Sequence, residues 1–268
     1  MPETPEQQAR REIDRQLTAA GWLVQNRDRM NLHAAQGIAL CETDVESGFA
    51  DYMLFVDGKS LGVLEAKAAG IQLGGVSEQS ESYARSKTTD FQLWAFPLPF
   101  TYESNGEETR FRDLRDPHSR SRKVFAFHRP ETLRSWVEQD STLRAKSGLL
   151  PPLHTLGLRE CQSESVGGLD ASLARQHPRS LVQMATGAGK TWMAVTASYR
   201  YIKFAEAHRI LFLVDRANLG RQAKTEFDLW HSPYTQLRFS DEYIVQCLDG
   251  NSVRLLTLLE ELNTAISA

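Results

Sequence analysis

Between Gly48 and Gly70 the chain reads GFADYMLFVDGKSLGVLEAKAAG, two apolar runs joined by an Asp-Gly pair. Apolar runs bounded by a turn signal predict a β-hairpin inside a sheet. Three charged residues interrupt the pattern, Asp51 in the first run and Glu65 and Lys67 in the second. A carboxylate buried in a sheet is costly without a partner, so these groups need either partners or a task. Glu65 and Lys67 are two apart and project from one face of a strand. Asp51 joins that face under one of two turn geometries. A three-residue connection over Asp57–Lys59, or a bulge, sets Asp51 opposite Glu65, whereas a two-residue Asp-Gly turn faces them apart. Converging carboxylates beside a lysine are what metal-dependent phosphodiester hydrolysis requires. The carboxylates hold a hard cation such as Mg²⁺, and the lysine orients water and steadies charge on phosphorus.

The flanking sequence adds context. Pro5 to Trp22 carries a helical stripe of Ile13, Leu17 and Ala20 that stops at Gly21. Glu12 and Asp14 on this helix are either further site carboxylates or plain helix-surface charge. After the hairpin, GGVSEQSESYARS predicts a loop entering a helix, on which Gln79 and Tyr83 lie four apart and share a face. FQLWAFPLPFTYESNGEETRFRDL predicts strands around an Asn105–Gly106 turn, and RPETLRSWVEQ a short helix started by Pro130. The spacing Asp-x13-Glu-x-Lys resembles the PD-(D/E)xK nuclease core, with Ala50 in place of the Pro. Gln79 and Tyr83 resemble the Gln-x3-Tyr element of RecB-like nucleases. The resemblance implies Asp51, Glu65, Lys67, Gln79 and Tyr83 as catalytic residues, with Asp51 and Glu65 on the metal.

Gly148, Pro151, Pro152 and Gly157 form the strongest linker signal in the chain. Beyond it, SLVQM, ATGAGKT, WMAVTASYRYIKFAEA and RILFLVDR alternate as strand, Gly-rich turn, helix and strand, which predicts a parallel-sheet α/β unit. A Gly-rich turn between strand and helix lets backbone N–H groups approach a phosphate at the positive end of the helix. Thr186, Gly187, Ala188, Gly189, Lys190 and Thr191 are the candidate ATP-binding residues, Lys190 for the β- and γ-phosphates and Thr191 for Mg²⁺. Met184 stands where the phosphate-loop pattern has its first Gly. The stretch is similar to motif I of superfamily 2 helicases. Gln162 in LRECQ resembles their adenine-contacting Gln, and RILFLVDRANLGRQ resembles motif Ia, with Arg216, Asn218 and Gln222 as candidates for DNA contact. Asp241-Glu242 lacks a preceding apolar strand and reads as a surface turn, so efficient ATP hydrolysis is not expected.

These readings divide the chain into a nuclease domain over 1–145, a linker over 146–157 and a partial first RecA-like motor lobe over 158–268. The expected fold class is α/β, a mixed sheet flanked by helices followed by a partial parallel sheet. The formal charge of −3 rules out a global attraction to nucleic acid, so any DNA surface is local. The candidate is FRDLRDPHSRSRK, with Arg112, Arg115, Arg120, Arg122 and Lys123, although Asp113 and Asp116 interleave. Cys41, Cys161 and Cys247 are far apart and outside zinc spacings, which fits a reducing cytoplasm. No apolar run approaches membrane-spanning length.

A metal nuclease followed by a superfamily 2 motor resembles the N-terminal part of the restriction (R) subunit of type I restriction-modification enzymes. The resemblance implies double-stranded DNA as substrate, Mg²⁺ and ATP as cofactors, and methylation and specificity subunits as partners. It also implies that the chain stops partway through the motor lobe, leaving apolar surface that favours self-association. The alternatives are a related DNA-repair helicase-nuclease and a catalytically silent docking or nucleotide-binding module.

Overall fold

The structure is a computed structural model that describes residues 4–45, 48–74, 77–86, 91–177, 179–214, 217–249 and 254–260. The chain forms two compact units, Met1–Thr142 and Leu143–Ala268.

The first unit opens with α1 (Pro5–Ala19), where Thr4 and Gln7 form a reciprocal capping box and Pro5 occupies the first turn. Then follow β1 (Leu23–Gln25), a 3-10 turn at Arg27–Arg29, β2 (Gly37–Val45), β3 (Gly48–Val56), β4 (Lys59–Ala66), α2 (Ser77–Ala84), β5 (Phe100–Ser104), β6 (Thr109–Asp113), β7 (Arg122–Val124) and α3 (Pro130–Val137). The seven strands make one mixed sheet in chain order. β1 with β2 and β4 with β5 are parallel, and the other pairs are antiparallel.

Alternation along β4 sends Leu64 and Val63 to opposite faces. Leu64 joins the main core, where Ile13 and Leu17 of α1 and Leu133 of α3 pack with Tyr52, Phe100, Tyr102 and Phe111. Val63 packs with Ala84 of α2 and Leu98. The sheet is therefore covered on both sides. Each fully buried apolar side chain here contributes about 1.5–3 kcal/mol.

The hairpin of β3 and β4 turns through two residues, Asp57 and Gly58, with φ of 50° and 77°. Positive φ at both positions is the turn whose twist suits a tight hairpin. Val56 pairs with Lys59 and Phe55 with Ser60, but the register then shifts, so that Leu54 pairs with Gly62 and Tyr52 with Leu64. Leu61 is the extra residue of a bulge. At Gly62 a Cβ would lie 2.7 Å from the Phe100 carbonyl oxygen, so glycine allows the bulged strand to sit against β5.

The second unit comprises α4 (Leu143–Ser147), α5 (Glu160–Ala174), α6 (Lys190–Ala205), β8 (Arg209–Val214), α7 (Ala217–Leu229), α8 (Phe239–Glu242), β9 (Tyr243–Asp249) and β10 (Arg254–Glu260). Its core gathers Val195, Tyr199 and Ile202 of α6 with Phe227, Trp230, Phe239 and Tyr243. Arg200, 2% exposed, donates to Asp170, to the Pro151 carbonyl and to the Tyr234 hydroxyl. That ion pair fastens α5, α6 and the Pro-rich stretch around Pro151 within one unit.

The expected parallel sheet is not formed among the described residues. The three strands run in the order β8-β10-β9 and both pairings are antiparallel. Four residues separate β9 from β10, and parallel pairing needs a crossover of a dozen or more. The expected strand SLVQM has no strand pairing, and Leu181 within it is 93% exposed. A strand of a parallel sheet is buried on both faces, and this segment has no such cover. Asp241-Glu242, expected as a surface turn, closes α8, where Glu242 is largely buried and pairs with Lys203 at 3.6 Å.

Candidate active site

The bulge decides the question raised by the hairpin. A two-residue turn alone would face Asp51 and Glu65 apart, and the extra residue at Leu61 restores the match. Continuing the Tyr52–Leu64 register by one residue sets Asp51 opposite Glu65. The two line a pocket of about 240 Å³ together with Glu6, Arg10, Lys67 and the alanines on either side of Lys67.

Polar contacts link most of the catalytic candidates. Lys67 Nζ donates to Glu65 Oε1 at 2.7 Å and to Gln79 Oε1 at 3.0 Å, and Gln79 Nε2 donates to the Tyr83 hydroxyl at 3.0 Å. Asp51 accepts from Arg10 on Oδ1 at 2.5 Å and from the Ala66 N–H on Oδ2 at 2.8 Å. Glu65 is 4% exposed, and its Oε2 is buried without a hydrogen-bond partner. Burial pushes the Glu65 carboxyl above the ordinary carboxylate range, opposed by its bond to Lys67 and reinforced by the charge of Asp51. An orphaned carboxylate oxygen in a polar pocket, beside a second carboxylate, matches what a hard divalent cation needs from a protein. Among the described residues no three His, Cys, Asp or Glu side chains form a fuller metal cage.

Neither acidic candidate on α1 belongs to this network. Glu12 accepts from Arg15 and Gln16 along its own helix, and Asp14 accepts from the Tyr52 hydroxyl at 2.8 Å.

In the second unit Gly187 and Gly189 take φ of 78° and 77°, and Gly189 is the N-cap of α6. Lys190 and Thr191 occupy the first turn. The loop is held by its own neighbours. Gln162 Nε2 donates to the carbonyls of Ala188 and Gly189, Arg159 to that of Gly187, and Lys190 Nζ to those of Met184 and Ala185 at 3.2 and 2.9 Å. Thr186 and Gly187 are exposed.

Two family models match the chain. Residues 24–137 match the second domain of the type I restriction enzyme EcoKI endonuclease subunit, and residues 155–255 match the type III restriction enzyme res subunit. The EcoKI endonuclease subunit of Escherichia coli strain K12 is 30% identical over 279 residues, covering 83% of this chain and 23% of that protein. The chain belongs to the family of type I restriction endonuclease subunits. The SauCOLORF180P endonuclease subunit of Staphylococcus aureus strain COL is 24% identical, over 81% of this chain and 24% of that protein. A solved fragment described as an HsdR subunit of a type I restriction enzyme from Vibrio vulnificus YJ016 is 22% identical. It covers 78% of this chain and 39% of that one, with a TM-score of 0.36. The chain spans about a quarter of the length of the curated relatives it matches.

In this endonuclease-subunit chain the expected basic surface is largely spent on the protein itself. Arg112 pairs with Glu81 at 2.7 Å, and Arg115 pairs with Asp113 and donates to the Trp136 carbonyl. Arg122 lies over the Phe111 ring, and Lys123 pairs with Glu108 at 3.5 Å. Interleaved acids and a neighbouring aromatic ring thus engage Arg112, Arg115, Arg122 and Lys123. Arg120 and Lys123 remain exposed. Arg216 lies outside the described residues, as does the side chain of Asn218.

Two residues at the site escaped the sequence reading. Arg10 is invisible to it because its partner is 41 positions away. Glu103 on β5 stands beside Glu65 in the parallel register and is fully buried, accepting from Ser80 of α2 at 2.5 Å and from Ser121 at 2.8 Å. A carboxylate inside the apolar run PFTYES was the available signal, the same one that exposed Glu65.

Proposed function

We propose that the first unit carries a divalent-metal-dependent site for hydrolysis of double-stranded DNA, and that the second carries an ATP-binding loop, both as parts of a type I restriction endonuclease subunit. The observation that supports this most is the bulge at Leu61, which sets Asp51 opposite Glu65, a pocket residue with one buried oxygen unpartnered. A fold with no use for these groups would leave such an arrangement a pure cost.

Asp51 and Glu65 would hold Mg²⁺, whose other positions suit water and phosphate oxygens. When bound, the ion supplies Lewis-acid stabilisation of the phosphate and lowers the pKa of a coordinated water. Lys67, fixed between Glu65 and Gln79, orients the attacking water and steadies the anionic phosphorus centre. Tyr83 holds Gln79 and so keeps Lys67 in place. In the second unit, Lys190 exchanges the Met184 and Ala185 carbonyls for nucleotide phosphates, Thr191 serves its Mg²⁺, and Gln162 contacts the base. Asp241 and Glu242 are engaged within α8 and with Lys203, so turnover of ATP by this chain alone is slow. DNA contact by Arg120 and Lys123, and assembly with methylation and specificity subunits, belong to the same proposal. Among the described residues no helix is long and apolar enough to cross a membrane.

The test is nicking of supercoiled plasmid by the 268-residue chain with Mg²⁺ or Mn²⁺, beside Asp51→Asn and Lys67→Ala. The proposal expects metal-dependent nicking, lost in both variants while circular dichroism and melting stay close to those of the parent. A folded parent that does not nick, or variants that nick equally well, would favour the silent docking module.

A further inference from the structure

Asp51 and Glu65, the two carboxylates of the pocket that face one another, differ in readiness. Glu65 keeps one oxygen open, whereas both oxygens of Asp51 are taken. The Ala66 N–H bond to Oδ2 belongs to the strand backbone and cannot open without disturbing β4. The bond from Arg10 to Oδ1 comes from a long side chain, 41% exposed, on a helix whose Ala9 and Ile13 are buried. Arg10 therefore moves at the side chain alone. A guanidinium and a divalent cation within a few ångströms of one another repel, so they cannot share Oδ1. Arg10 also has a second partner within reach, Glu42 of β2 at 2.9 Å, whose side chain is 70% exposed.

We propose that Arg10 is the resident counter-ion of Asp51, which must withdraw onto Glu42 before Asp51 can ligate a divalent cation. The inference rests on the reading of Asp51 and Glu65 as a metal site. In the metal-free chain Arg10 offsets the repulsion between two facing carboxylates. It thereby keeps the pocket formed at the expense of metal affinity. Glu42 sets how easily the guanidinium lets go. The site is thus gated by an exchange of one cation for another, and the loading threshold is set by residues on α1 and β2 that never touch the metal.

The experiment is a Mn²⁺ titration of the full chain, followed by electron paramagnetic resonance without DNA or nucleotide. Glu65→Gln identifies the signal that belongs to the pocket. Arg10→Met is expected to tighten that binding by about tenfold, the scale on which groups around a metal site act. Glu42→Gln is expected to weaken it, and to have no effect when combined with Arg10→Met. Arg15→Met removes the same charge from the same helix without touching Asp51 and should leave affinity within about twofold. Unchanged affinity in Arg10→Met, or an equal gain in Arg15→Met, would overturn the role given to Arg10. Binding insensitive to Glu65→Gln in every variant would overturn the metal-site reading itself, and the inference with it.

Discussion

The carboxylate pocket of the first unit and the Gly-rich loop of the second are held in different ways. The pocket is assembled from α1, β3, β4 and α2, elements that meet only through the sheet, and its charged groups partner one another across as many as 41 positions. The loop is held through its backbone carbonyls, from within by Lys190 and from 26 to 28 positions away by Arg159 and Gln162 at the start of α5. An assembled site is as good as its sheet register, so a single bulged residue decides whether it exists. A loop clamped by a neighbouring helix keeps its shape even where the strand expected before it does not form. Variants can therefore damage the first site by way of strand register and the second by way of the α5 residues that clamp it.

The largest expected effect lies in the packing of the second unit. Arg200→Ala strips Asp170 of its buried partner and should destabilise the second unit by about 3–5 kcal/mol, read by urea unfolding, with the first unit's transition unchanged. Lys67→Ala comes next and should lower metal-dependent nicking by about a hundredfold to a thousandfold while ATP binding is retained. Lys190→Ala should do the reverse, and fluorescent-nucleotide binding would show it. If either lysine affected both activities, the two sites would not be separable. Gly189→Ala should cost the second unit about 1–3 kcal/mol, because φ is 77° and the new methyl meets the Gln162 amide that clamps the loop. Adding Gln162→Ala removes the contact together with the clamp, so the double variant should lose less than the sum of the two single losses.

The smallest effect separates the units by pH. His128 Nδ1 and the Tyr102 hydroxyl share a hydrogen bond at 2.6 Å, and burial, assisted by the charge of Arg122, pulls the His128 pKa down to about 4. The unfolded chain binds a proton near pH 6.5 and the folded chain does not, so stability is full above that value and falls as pH drops toward 4. The first unit should lose about 1–2 kcal/mol across this window, the partial exposure of the residue being allowed for. His128→Asn should flatten the slope in that unit alone, as followed by thermal melts between pH 7 and pH 4.

Much of the first unit was legible because its determinants are short-ranged. The stripe of α1, the Asn105–Gly106 turn and the Pro130 start of α3 follow from spacing and turn chemistry, whereas the Asp-Gly pair marked a turn without fixing its length. The bulge at Leu61 was not, since a buried leucine in an apolar run carries no mark of being the extra residue. Its one local trace is Gly62, needed for the approach to Phe100. Arg10 and Glu103 were hidden for the same reason, because their partners are fixed by strand pairing. In the second unit the alternation of strand, loop and helix pointed to a parallel sheet, but apolar character at 180–184 does not supply the two covering layers such a strand requires.

The central claim is that the bulged hairpin makes one metal site out of Asp51 and Glu65. Anomalous diffraction from crystals grown with Mn²⁺ tests it most directly. The account predicts a single peak in the first unit, bound by both carboxylates, with Arg10 displaced toward Glu42. A peak that touches neither carboxylate, or an ordered pocket at saturating Mn²⁺ with Arg10 still on Asp51, would contradict it.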